Sequence, residues 1–220
     1  MKEELVIFNR PKSNISEDIR TIRTNLQFTS NEKSKVLLIT SSIPGEGKSF
    51  ISSNLSVAFS QTGERTLIVD CDLRLGRVHK IFGVSNENGF SNMLVNSKVE
   101  YSKYIKKTSI PNLYVISRGI VPPNPSELLN SVNTKKIIKD LRENFDRIIF
   151  DGVPVNGLPD SLIMANLVDR VILVTAVGYT SIDELNESKK ALQKIDAKIA
   201  GVVVNKTNPT KRGRYSNYYE

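Results

Sequence analysis

Residues 40–50 read T-S-S-I-P-G-E-G-K-S-F, and these residue types can bind phosphate. Gly45 and Gly47 let the backbone curl so that successive N–H groups aim at an anion. A helix starting there adds its positive dipole end. Lys48 has the reach for β- and γ-phosphates, and the Ser49 hydroxyl can ligate Mg²⁺. Pro44, Glu46 and Phe50 complete the stretch that would wrap a nucleotide. The full pattern G-x-x-x-x-G-K-[ST] has glycine where this chain has Ser42. A bare G-K-S could be a glycine-rich turn capping an ordinary helix; the flanking elements argue for phosphate binding.

Two further acidic sites belong with this loop. The run D-C-D-L-R follows an apolar stretch and sets Asp70 and Asp72 two residues apart. On a continuing strand the two carboxylates point the same way. At the carboxyl end of a parallel strand they would stand beside the phosphates, placed to hold Mg²⁺ or accept a proton. Arg74 could meet phosphate. The alternative is an acidic loop closing a strand. Arg147-Ile148-Ile149-Phe150-Asp151 is a second apolar run ending in acid, the Walker B arrangement when it lies downstream of a P-loop. Asp151 would hold Mg²⁺ directly or through water. Asn205, after the last apolar run, could read a base edge.

The elements that must position these residues are legible from periodicity. Apolar runs at 36–39, 66–69, 113–116, 147–150, 171–174 and 199–204 predict buried strands. Helical spacing between them predicts α/β architecture: a P-loop NTPase with a doubly wound, mostly parallel sheet flanked by helices. Residues 1–15 read as an extended arm. A helix over 16–29 carries Ile19, Ile22 and Leu26 on one stripe and Glu17, Arg20 and Arg23 on the next. That charged stripe is either local Glu–Arg pairing on a wet helix or a subunit contact; spacing alone favours pairing. Ser126 should cap the helix after a Pro-rich loop, and a basic amphipathic helix covers 134–144. Asp160 opens another helix, as its cap or as an acid backing the site, with capping the default. His79 is the only histidine and reads as structural. Residues 207–220, T-N-P-T-K-R-G-R-Y-S-N-Y-Y-E, form a polar, basic tail with Tyr215, Tyr218 and Tyr219 clustered.

Bulk properties limit the function classes. The chain has 220 residues, enough for a sizeable core, and a formal charge of +8. The charge suits anionic partners, yet no basic stripe interleaves with aromatics, which argues against nucleic acid. A single cysteine, Cys71, excludes an internal disulfide and fits a reducing compartment. No signal peptide is evident, and no apolar run approaches the length of a membrane span.

Taken together, the chain resembles the bacterial tyrosine kinases of capsule and exopolysaccharide assembly, in the Gram-positive form with a separate kinase chain. The likeness rests on P-K-S-x-I-S-E-x-x-R-x-x-R-T-N at 11–25, P-G-E-G-K-S at 44–49, D-x-D-L-R at 70–74, P-P-N-P-S-E-L-L at 122–129, the acid-ended run at 147–151, V-V-N-K at 203–206 and the terminal tyrosines. It implies an ATP- and Mg²⁺-dependent protein-tyrosine kinase. Lys48 and Ser49 would bind phosphate and Mg²⁺, with Asp72 and Asp151 completing the metal site. Asp70 would accept the tyrosine proton. Residues 1–206 would form one kinase domain. Glu17, Arg20 and Arg23 would form the contact of a homo-oligomeric ring, in which neighbours phosphorylate Tyr215, Tyr218 and Tyr219. The implied partners are a membrane-bound activator, the chain-length regulator, and a cognate tyrosine phosphatase. The implied location is cytoplasmic, at the inner face of the plasma membrane.

The chain departs from that family at three places. Asp151-Gly152-Val153-Pro154 replaces D-T-P-P, Phe50 replaces Thr, and Arg74-Leu75-Gly76 replaces R-K-P. Gly152 is expected to loosen the loop beside Asp151. Two other readings compete. A partitioning-type ATPase carries an extra lysine early in the loop, where this chain has Ile43. A nucleotide-gated scaffold would have weak catalysis.

Overall fold

The apolar runs become the parallel strands of one sheet, and the helically spaced stretches cover its two faces. The computed structural model describes residues 3–28, 34–96 and 98–207, so the clustered tyrosines lie outside the described residues. In chain order the elements are α1 (Val6–Asn9), α2 (Asn14–Phe28), β1 (Val36–Ser41), α3 (Lys48–Ser60), β2 (Thr66–Asp70), α4 (Val78–Phe82), α5 (Phe90–Val95), β3 (Lys106–Lys107) and β4 (Leu113–Ile116). There follow α6 (Pro125–Leu129), α7 (Val132–Asn144), β5 (Arg147–Pro154), α8 (Asp160–Ala165), β6 (Arg170–Ala176), α9 (Ile182–Gln193) and β7 (Ile199–Asn205). Among the described residues the sheet order is β3-β4-β2-β5-β1-β6-β7, and only β3 runs antiparallel to its neighbour.

The alternation of a strand explains the two layers. Val36, Leu38, Leu67, Val69, Ile148 and Phe150 face one way, against Phe90 and Met93 of α5, Ile137 and Leu141 of α7 and Met164 of α8. Leu37, Ile39, Ile68, Ile149 and Ile172 face the other way, against Leu55 and Phe59 of α3 and Ile19 of α2. Central strands buried on both faces therefore read as unbroken apolar runs.

Several boundaries differ from the sequence reading. The stretch read as an extended arm carries α1, because Leu5 and Ile7 are fully buried. Burying such a side chain contributes about 1.5–3 kcal/mol, enough to offset much of the cost of ordering its neighbours. Asn54 of α3 clamps that turn, accepting from Ile7 N at 3.1 Å and donating to Glu4 O at 2.9 Å. Helix α7 starts at Val132, earlier than read, because Ser131 caps it by accepting from Thr134 N. Ser126 does not cap α6: Pro125 takes the first helical position and Asn124 precedes it. The last strand is not buried as read. It is the sheet's edge, and Val202 and Val204 are exposed at 48% and 53%. The two-residue β3 has no apolar run to announce it.

Candidate functional site

Strands β1, β2 and β5 lie side by side, and their carboxyl ends bring the predicted residues together. After β1 the chain turns through Gly45 (φ +84°) and Gly47 (φ +96°) into α3, which begins at Lys48. These left-handed angles favour glycine, and space reinforces the choice. A Cβ on Gly47 would stand 2.1 Å from Nδ2 of Asn205, and one on Gly45 would stand 2.8 Å from the Tyr179 hydroxyl.

Neighbouring side chains hold the loop in shape. Glu46 is fully buried; its Oε2 accepts from Ile43 N at 2.7 Å and its Oε1 accepts from the Thr180 hydroxyl. Asn205 donates to Glu46 O at 2.8 Å, and Lys206 Nζ donates to Gly45 O at 3.0 Å while lying over the Tyr179 ring. The Asn205 amide, expected at a base edge, braces the loop from the end of β7. Phe50 does not turn its side chain to the loop. It packs on the core and lines a groove between α2 and β7.

Asp70 and Asp151 are register partners across β2 and β5. Both are buried, and each has one oxygen without a hydrogen-bond partner, Oδ1 of Asp70 and Oδ2 of Asp151. Burial pushes the Asp70 carboxyl well above the usual range, and the Asp151 charge adds to the shift. Burial also raises Asp151, opposed by the Lys48 charge and by the nearby Ser49 and Ser52 hydroxyls, of which Ser52 donates to Oδ1. Asp72 lies beyond the end of β2 rather than on a continuing strand. Its Oδ1 accepts from Arg74 N and Leu75 N at 3.2 and 2.8 Å, fixing a turn. That turn folds Gly76 over Asp70, where a Cβ would stand 2.3 Å from Oδ1. Val78 N donates to the other oxygen at 3.0 Å.

The structure redirects other predicted residues. Arg74, read as a phosphate ligand, pairs with buried Asp160 at 3.1 Å and reaches Ser126 at 3.3 Å. Ser126 itself donates to Asp160, so this acid ties the turn at Arg74 and α6 to the start of α8 instead of capping α8, whose N-cap is Pro159. Gly152 lies inside β5 and is tightly enclosed: a Cβ would stand 2.9 Å from Leu38 Cδ1 and from Ser161 Oγ. The expected loosening is not seen. Glu17 and Arg20 pair within one helical turn, Arg20 donates to Pro11 O at 2.8 Å, and Arg23 donates to Ala58 O at 3.0 Å.

Sequence reasoning missed Ser52, whose hydroxyl donates to Asp151 Oδ1 at 2.9 Å. Its spacing from Ser49, one turn along a helix, was the available signal. It also missed Thr180 and Tyr179, which no local pattern ties to the loop.

The donor set suits a small, hard cation held partly by phosphate. Among the described residues no three acidic, histidine or cysteine side chains form a metal cluster. The Ser49 hydroxyl and the unpartnered Oδ2 of Asp151 are hard oxygen donors of the kind Mg²⁺ takes alongside phosphate and the water it retains.

A family model described as an AAA domain matches residues 34–204. The chain is 39% identical over 216 residues to a putative tyrosine-protein kinase CapB of Staphylococcus aureus, covering 98% of this chain and 94% of that one. It is 35% identical over 219 residues to the tyrosine-protein kinase YwqD of Bacillus subtilis, covering 99% and 92%. Among solved structures, the chimerical protein CapA2B2 superposes with a TM-score of 0.89 at 36% identity, covering 94% of this chain and 91% of that one.

Proposed function

The chain belongs to the bacterial tyrosine-protein kinases built on the AAA-type P-loop fold, and from that premise we propose how its site transfers phosphate and to what. It is a tyrosine-protein kinase, so the reaction moves the γ-phosphoryl group of ATP to a tyrosine hydroxyl. Oη–P forms, the bond from P to the bridging oxygen breaks, ADP leaves, and the phenolic proton goes to Asp70. Phosphoryl transfer needs positioning and charge neutralisation more than covalent help. The amides of residues 45–49 and the Lys48 ammonium supply both. Ser49 and Asp151, with Asp72 nearby, would hold Mg²⁺, which would supply further neutralisation of the phosphates.

The observation that carries this reading is the buried Asp70, beside Asp151 and short of one partner. Its raised affinity for a proton makes it a better base for a phenol than an exposed carboxylate. It lies sealed under Gly76, so the acceptor tyrosine reaches it when the 72–76 turn lifts. Leu75 at the tip of that turn is 82% exposed.

We infer that the acceptors are Tyr215, Tyr218 and Tyr219 of a neighbouring subunit in a ring, with Glu17, Arg20 and Arg23 at the contact. A cognate phosphatase would reverse the reaction. Among the described residues no helix is long and apolar enough to cross a membrane. We further propose that a membrane-bound activator brings the chain to the membrane's inner face. The groove between α2 and β7 supports an apolar partner segment there; Ile15, Ile22, Phe50 and Val204 line it. The Asp70→Ala variant tests the base. ATP binding persists and tyrosine phosphorylation is lost; strong residual phosphotyrosine would refute the role.

A further inference from the structure

Ser52 is fully buried one turn into α3, and its hydroxyl lies 2.9 Å from both Asp151 Oδ1 and Lys48 O. A hydroxyl has one proton to donate. The helix carbonyl already has the amide four residues on as its partner. An ionised carboxylate is the stronger acceptor, since charge-assisted bonds are about twice as strong as neutral ones. The proton therefore goes to Asp151.

We propose that Ser52 is a positioning residue for Asp151: its hydroxyl tethers Oδ1 and leaves Oδ2 as the one oxygen turned to a divalent cation. The inference rests on the reading of Asp151 as a metal-holding acid. Without the tether the carboxylate turns about its terminal torsion, which is broad for Asp, and no particular oxygen is kept for the metal. Ser49 and Ser52 stand three apart on α3, so one helix face both carries the metal's hydroxyl and orients its acid. Loop, helix and β5 are thereby registered to one another at the point where charge develops.

Ser53 is an internal control. It is equally buried on the same helix, and its hydroxyl has no partner. The test is Mn²⁺ binding followed by EPR on the full chain with ADP, beside ADP binding in EDTA. Ser52→Ala should weaken Mn²⁺ about 10-fold or more, the usual cost of losing a group that orients a metal ligand. ADP affinity in EDTA should not change. Ala is smaller than Ser and a better helix former, so the variant folds. Ser53→Ala should bind Mn²⁺ like the wild type. If Ser52→Ala keeps wild-type Mn²⁺ affinity while Asp151→Asn loses it, the positioning role is wrong and the metal reading stands. If Asp151→Asn also keeps it, the metal reading fails and this inference fails with it.

Discussion

Asp70 holds a carboxylate where water cannot reach it, next to a second buried acid. Such an arrangement costs stability whenever both groups are charged. The sign follows from linkage. An acid whose folded pKa is raised causes no loss below its unfolded value, near about 4. Stability then falls as pH rises from there through the folded value, because the native state binds more protons than the unfolded one. In EDTA and without nucleotide, the protein should lose thermal stability from acid towards neutral pH. Asp70→Asn should flatten that slope, since its amide oxygen still accepts from Val78 N. At neutral pH its Tm should rise by about 2–4 °C, the shift that about 1 kcal/mol gives a domain of this size, while kinase activity disappears. Calorimetry across pH checks this; an unchanged slope would mean that Asp70 carries no buried charge.

The P-loop shows how an element is specified partly by itself and partly by distant chain. Gly47 needs a left-handed angle and also room for Asn205 Nδ2. Gly47→Ala should abolish ATP binding, read by calorimetric titration. Gly63→Ala, with φ +89° but nothing near its Cβ, should cost about 1 kcal/mol of stability and leave binding intact. Equal loss of binding in both would show that backbone strain alone matters. This split also explains what the sequence revealed. Loop, strands and paired acids were legible because periodicity and glycine chemistry are local. Glu46–Thr180, Asn205–Glu46 and Arg74–Asp160 were not, because each joins residues far apart in the chain and only the parallel sheet brings them together. Asp160 misled for the same reason: a helix-opening acid is normally a cap, and here a buried ion pair outcompetes that use. Gly152 looked like a loosened loop; Ser161 and Leu38 fill the space a side chain would need.

At the scale of the molecule, one edge of the sheet carries the short antiparallel β3 and the opposite edge carries β7 with its exposed valines beside α2. Glu17 and Arg20 of α2 pair with each other and Arg23 donates to Ala58 O, so the assembly role proposed for this stripe can be tested apart from folding. An exposed pair one turn apart contributes about 0.2–0.5 kcal/mol. Arg20→Ala should therefore leave Tm almost unchanged, yet shift the oligomer towards monomer by light scattering and lower tyrosine phosphorylation at dilute protein. A variant that stays assembled would remove Arg20 from the contact. On the proposed function, the chain phosphorylates its own terminal tyrosines using the P-loop. The most direct measurement is intact mass after incubation with ATP and Mg²⁺, with and without a cytoplasmic fragment of the activator, beside Lys48→Met and a chain ending at Arg214. Added phosphates that require Lys48 and vanish when the chain ends at Arg214 are the predicted result. Release of ADP with no added phosphate under either condition would contradict it and leave a plain ATPase.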